Sequence, residues 1–157
     1  MRPIVQTDSK QEGILHRPTA TVQTENRRLI QRLTLKLFNE LRGRNSIALG
    51  IALNQLGSPY NGFIAKIGGT PRVFFNASLV KTRGYSFSLP EACLSVKKGK
   101  RDYNVKRYLD ITINYYDYKL GRIRTESFEG DDAIVIQHEI DHCEGITILD
   151  RSTDEDV

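Results

Sequence analysis

No apolar run in this chain approaches the roughly 20 residues needed to span a bilayer as a helix, which excludes the helical membrane-protein classes. The start, Met1-Arg2-Pro3-Ile4-Val5-Gln6-Thr7-Asp8, lacks the apolar core of a secretory signal. Export is therefore not indicated, and a cytoplasmic location is expected. Cysteine is scarce: Cys93 and Cys143 could form one disulfide at most, and in a cytosolic chain a free or metal-bound thiol is the better expectation. Internal repeats, low-complexity tracts and dividing linkers are all missing. Excess charge is also small. A net +4 is a mild bias and excludes a dedicated nucleic-acid binder. The basic clusters Arg27-Arg28, Arg42/Arg44, Lys97-Lys98, Lys100-Arg101 and Lys106-Arg107 are expected on solvated faces, as is the acidic tail from Asp150 to Val157. The 97–107 cluster merits attention because it directly follows the Cys93 segment, a candidate for the active site.

What remains is a chain of 157 residues, 39% apolar and 27% charged, suited to one globular domain over 1–157. After an irregular opening to about Val22, Ile30, Leu33, Leu37 and Leu41 recur at helical spacing, with Thr24 as the expected N-cap. Strands are expected over 62–67, 72–80, 84–89 and 109–115, the last strictly alternating. Lys119-Leu120-Gly121-Arg122 reads as a turn into a hairpin partner over 123–128. A second helix covers about 131–143 and ends at Gly145, followed by an extended piece over 146–149. The expected fold is α+β, with mainly antiparallel strands around a central buried helix.

That second helix contains His138-Glu139-Ile140-Asp141-His142. Histidines four apart project from one helix face and can meet on one metal ion, with the intervening glutamate placed to take a proton from bound water. This H-E-x-x-H arrangement is the signature of a hydrolytic zinc-type site. A catalytic site needs a third protein ligand and an open position. His16 stands in the irregular opening beside Pro18 and reads as a surface or packing residue. Cys93, in Pro90-Glu91-Ala92-Cys93-Leu94-Ser95-Val96, is the better candidate, although taken alone a single cysteine there reads first as a small buried hydrophobe. An H-E-x-x-H endopeptidase would need a further histidine or glutamate downstream. Glu144, two positions past His142, points off the shared face.

Three segments resemble, in order and spacing, the signature motifs of peptide deformylases. They are Ala48-Leu49-Gly50-Ile51-Ala52-Leu53-Asn54-Gln55, Glu91-Ala92-Cys93-Leu94-Ser95 and Gln137-His138-Glu139-Ile140-Asp141-His142. The opening segment, with Ile4, Leu15, Pro18 and Val22, also looks like that family's N-terminal arm. The resemblance implies removal of the formyl group from N-formylmethionyl nascent peptides. It implies one divalent metal held by Cys93, His138 and His142, with Fe2+ expected in vivo and Zn2+, Ni2+ or Co2+ as substitutes. Glu139 would move the proton, and the Gln55 amide with the Leu94 N–H would stabilise the developing oxyanion. Leu49, Gly50, Ile134 and Val135 would bind substrate. Glu91 and Asp141 would orient a ligand or a neighbouring basic residue. Transient ribosome contact is expected, but no membrane. Ala48, Leu53 and Ala92 depart from the family pattern and would narrow the groove, or change backbone angles if the replaced glycines had positive φ. The chain stops too soon after Asp150 for a C-terminal helix, resembling short virus-encoded forms, whose setting would be the host cytoplasm. An inert homologue that binds nascent chains is the non-enzymatic alternative.

Overall fold

The computed structural model describes residues 3–44, 47–84, 87–96 and 102–154. Alternation along the strands builds two opposed apolar surfaces on one sheet. Its five strands are β1 (Gly50–Ala52), β2 (Gly62–Ile67), β3 (Thr70–Arg83), β6 (Asp110–Asp117) and β7 (Arg122–Glu129), paired in the order β1-β2-β3-β6-β7. All four pairings are antiparallel. Helix α1 (Arg27–Arg42) covers one face, where Leu29, Ile30, Leu33, Leu37 and Leu41 pack with Ile51, Leu53, Ile64, Val73 and Phe75. Helix α2 (Gly130–Cys143) covers the other, where Ala133, Ile136, Ile140 and Cys143 meet Phe63, Phe74, Ile111, Ile113 and Phe128. Neighbours in sequence such as Phe63 and Ile64 thus serve opposite cores, as the two-residue strand period requires.

A second sheet pairs β4 (Phe87–Glu91) with β5 (Tyr103–Arg107). A small third core of Val96, Tyr103, Val105 and Ile148 lies beneath it, joined by Cys93 and Leu149. The chain after α2 closes this core. It turns at Gly145, whose φ of +78° suits a residue without a side chain, and enters a short helix α3 (Ile148–Arg151).

Several boundaries differ from the sequence expectation. Asn26, not Thr24, caps α1, its side chain accepting from the Leu29 N–H at 3.1 Å. Helix α2 begins after Glu129, and Asp132 accepts from Gly68 N instead of capping. The expected extended piece over 146–149 contains the start of α3. Thr147 and Asp150 form a capping box, with Thr147 N donating to Asp150 Oδ2 at 2.8 Å and Leu149 N to Thr147 Oγ1 at 3.2 Å. β5 replaces part of the presumed basic surface cluster, with Tyr103, Val105 and Arg107 turned inward. Arg44 is likewise buried, paired with Glu40, and not on a solvated face. Lys97, Lys98, Lys100 and Arg101 lie outside the described residues, as does Val157 of the acidic tail.

Candidate metal centre

Helical geometry sets the first half of the site. His138 and His142, one turn apart on α2, hold their ring centroids 4.9 Å apart. Cys93 enters from the turn after β4, which is closed by Val96 N donating to Cys93 O at 3.0 Å. Its Sγ lies 3.3 Å from His142 Nε2. One ligand atom from each of Cys93, His138 and His142 falls within 4.8 Å of the others. The donor set of one sulfur and two imidazoles suits a divalent transition metal. Burial alone would raise the Cys93 thiol pKa. The nearby His142 charge and hydrogen bonding with both histidines outweigh burial and hold it well below the usual thiol range. A thiolate is the form that binds metal.

Two further observations fit a metal with a reactive water. Glu139, only 1% exposed, has its Oε2 buried without a hydrogen-bond partner among the described residues, and its Oε1 stands 4.0 Å from His138 Nε2. Burial pushes its carboxyl pKa up, against the lowering charges of His138 and His142. Such an uncompensated carboxylate is costly unless another group completes its surroundings. Gly50 makes room for it, since a Cβ there would stand 3.1 Å from Glu139 Cδ and 3.0 Å from the Ile64 carbonyl oxygen.

Gln55 reaches the same place from the 3-10 turn Leu53–Leu56. Its Oε1 accepts from Ala52 N at 2.9 Å, which fixes the amide so that Nε2 points towards Ser95 Oγ at 3.1 Å and Cys93 Sγ at 3.7 Å. The Leu94 N–H has no acceptor among the described residues. The N-terminal arm ties these two segments together: Val5 N donates to Gln55 O, Gln6 Nε2 to Leu94 O and Thr7 N to Ser95 O, at 2.8, 2.9 and 2.9 Å.

Behind the histidines runs a chain of charges that the sequence did not reveal. His138 Nδ1 donates to Glu91 Oε1 at 2.8 Å, which leaves the Nε2 lone pair for a metal. Arg107 donates to both Glu91 oxygens, at 2.6 and 3.0 Å, and to Asp141 Oδ2. Burial would raise the Glu91 carboxyl, but hydrogen bonds from His138 and Arg107 outweigh it and hold the pKa at about 2. Arg107 is 3% exposed. Arg107 shares the inward face of β5 with Tyr103 and Val105, and the alternation of those two apolar residues with polar neighbours is the signal that could have found it. Glu91 and Asp141 do hold a basic residue between them, as expected. Gln137 joins α2 to the β5–β6 connection, its Oε1 accepting from Tyr108 N and its Nε2 donating to Tyr108 O and, within the helix, to Ala133 O.

The remaining expected site residues separate into two groups. Leu49 is 68% exposed at the start of edge strand β1, and Ile134 and Val135 are half-buried on α2. Val135 also packs against the α2-side core. Lys66 N donates to Leu49 O, so Gly50, one residue on, turns its own N–H and carbonyl away from β2. Among the departures from the motif pattern, neither Ala48 nor Ala92 has positive φ. Leu53 does not narrow the groove, because it is fully buried in the α1-side core. Cys143 is buried away from the cluster, its Sγ 3.9 Å from Gly62 O, and burial pushes its thiol pKa up. His16 is exposed beside Glu12. A groove of about 990 Å³ lies elsewhere, between α1 and the β6–β7 turn, and none of the residues above lines it.

A model of the polypeptide deformylase family matches residues 1–157. A peptide deformylase from Flavobacterium psychrophilum is 35% identical over 126 residues, covering 69% of this chain. The match spans 63% of that relative's own length. The crystal structure of peptide deformylase from Thermus thermophilus superposes with a TM-score of 0.82 at 28% identity, covering 96% of this chain and 85% of that one. The enzyme from the Vibrio parahaemolyticus bacteriophage VP16T has the same fold, with a TM-score of 0.80 at 24% identity, covering 94% of this chain and 100% of that one. With the three motif segments gathered around one cluster of ligand atoms, the chain belongs to the polypeptide deformylase family.

Proposed function

We propose that residues 1–157 act as one catalytic domain that removes the N-formyl group from formyl-methionine at the start of newly made polypeptides, releasing formate. The observation that carries this reading is the convergence of Cys93, His138 and His142 beside the unpartnered Glu139 carboxylate. These three side chains would hold one divalent cation, Fe2+ in the cell, with Zn2+, Ni2+ or Co2+ able to replace it. When bound, the cation would supply Lewis acidity, polarising a carbonyl and lowering the pKa of a water towards about 7.

The chain's own residues do the rest. Glu139 accepts the water proton and later delivers it to the departing amine. As the water oxygen adds to the formyl carbon, charge grows on the carbonyl oxygen, and Gln55 Nε2 and the Leu94 N–H donate to it. Losing one such donor typically costs roughly 3–4 kcal/mol of transition-state stabilisation. A formyl carbon bears only hydrogen beyond its carbonyl, so a tight cleft admits it and excludes larger acyl groups. Leu49, Ile134 and Val135 would wall the methionine pocket, with Ile134 the better wall because it joins neither major core. The open backbone of Gly50 on edge strand β1 would pair with the peptide in strand fashion, tolerating varied downstream sequence. Such substrates are met in the cytoplasm, where transient ribosome contact would give access to them.

Protein purified without oxygen and supplied with formyl-Met-Ala-Ser should release one formate per peptide, with one metal ion per chain by elemental analysis. Cleavage of an internal peptide bond instead would indicate an endopeptidase. Peptide binding without turnover would indicate an inert homologue.

A further inference from the structure

We propose that Arg151 is a positioning residue for the metal centre, acting through Asp141, Arg107 and Glu91 on the His138 imidazole. This rests on the hydrolytic reading above and adds to it a residue outside the three motif segments.

Arg151 lies at the end of α3, beyond the last motif, with its side chain 47% exposed. Its Nη2 donates to Asp141 Oδ1 at 3.1 Å and its Nε to Asp141 Oδ2 at 3.2 Å. Asp141 Oδ2 also receives Arg107 Nη1. Arg151 therefore grips both oxygens of the carboxylate that steadies Arg107, and Arg107 grips both oxygens of the carboxylate that orients His138. Charge explains why a second arginine is needed. Arg107 alone faces two buried carboxylates, Glu91 and Asp141, and leaves one negative charge uncompensated. Arg151 makes the group of four neutral. Without it, Oδ1 of Asp141 loses the one donor that it has among the described residues, and the carboxylate is left with the single Arg107 bond at Oδ2 to fix its orientation.

The segment around Arg151 is itself held to β5, the strand that carries Arg107 and pairs with β4 just before Cys93. Ser152 bridges to Val105 of β5, Thr153 N donates to Asn104 O at 2.8 Å, and Asp154 Oδ1 accepts from Asn104 Nδ2 at 3.0 Å. Ile148 packs with Val96, Tyr103 and Val105, against which Cys93 also sits. One short segment thus braces both the cysteine turn and the charge chain behind His138.

The test is a competition titration of Zn2+ and Co2+ against a chromophoric chelator, on wild-type protein and on Arg151→Ala, Arg151→Lys and Arg151→Met. Wild-type binding and formate release are measured in parallel. Removing a group that orients a ligating histidine typically weakens metal binding 10- to 100-fold. Arg151 acts three contacts further out than Glu91, so Arg151→Ala should lose about 10-fold, the low end of that range. Arg151→Lys, which keeps the charge but not the fork, should recover part of that loss. The thiolate-to-Co2+ absorption band should shift, and kcat should fall with KM little changed. Affinity and spectrum unchanged in Arg151→Ala would overturn the proposal. If that variant fails to fold, the same result in Arg151→Met, which keeps the aliphatic stem, overturns it equally. Wild-type protein that binds no metal and releases no formate overturns the proposed function itself, a result distinct from indifferent Arg151 variants on an active wild type.

Discussion

Arg107 and Arg72 are both clasped by carboxylates, yet their settings differ. Arg107 is 3% exposed, behind the histidines, and touches Glu91 and Asp141. Arg72 lies on the α2-facing side of the large sheet, paired with Glu126 at 2.7 Å and with the Tyr115 hydroxyl, over the rings of Phe74 and Phe128. Its side chain is 28% exposed, and Glu126 is 24% exposed. Water can replace part of what Arg72 gives Glu126. It cannot reach Glu91 in the same way. The comparison teaches that similar ion clusters carry different consequences according to burial and to what they hold: one orients a ligand, the other seals the edge of a core.

The largest effect belongs at the reacting centre that the Arg107 cluster supports. Glu139→Ala should reduce formate release by about 10²- to 10⁴-fold, the usual contribution of a general base, while metal content by elemental analysis stays at one ion per chain. Retained turnover would break the link between the orphan carboxylate and the chemistry. Next, Arg107→Ala leaves buried Glu91 with His138 alone and Asp141 with Arg151 alone, and should cost about 3–5 kcal/mol in urea unfolding, with weaker metal binding. Arg72→Ala should cost only about 1–2 kcal/mol and leave kcat/KM unchanged. Equal losses in the two variants would erase the distinction drawn above.

The smallest effect is a pH dependence. Glu126 has its carboxyl pKa lowered, first by the Arg72 hydrogen bond, against the opposing effect of burial. A folded-state value below the unfolded one contributes stability that is complete above the ordinary carboxylate range and is lost as pH falls through the folded value. Glu126→Gln should therefore flatten the acid limb of stability against pH, with no change near neutrality in that slope. A steeper limb would mean that Glu126 is held in the opposite sense.

The Arg107 and Arg72 clusters also show where sequence reading stops. Strand β2 was legible over 62–67, and so was the β6–β7 hairpin, because their alternation is local and regular. The clustering of Cys93, His138 and His142 was legible because a helix turn fixes His138 against His142, and Cys93 sits in a segment with its own motif. Arg107 and Arg151 were not. Arginine is ordinarily a surface residue, and only the three-dimensional meeting of β5, α2 and α3 makes an inward guanidinium affordable. β1, three residues long, is too short to show a period, and α3 was hidden because 146–149 was read as extended and Asp150 as the start of the acidic tail, which split the Thr147–Asp150 capping box.

The central claim is a sulfur and two imidazole nitrogens around one metal ion. X-ray absorption at the metal edge of the Zn2+-loaded protein tests it most directly. The account predicts one sulfur at about 2.3 Å, two nitrogens at about 2.0–2.1 Å and one further light-atom scatterer, with the sulfur lost in Cys93→Ser. A spectrum without sulfur, or one unchanged by Cys93→Ser, would contradict it.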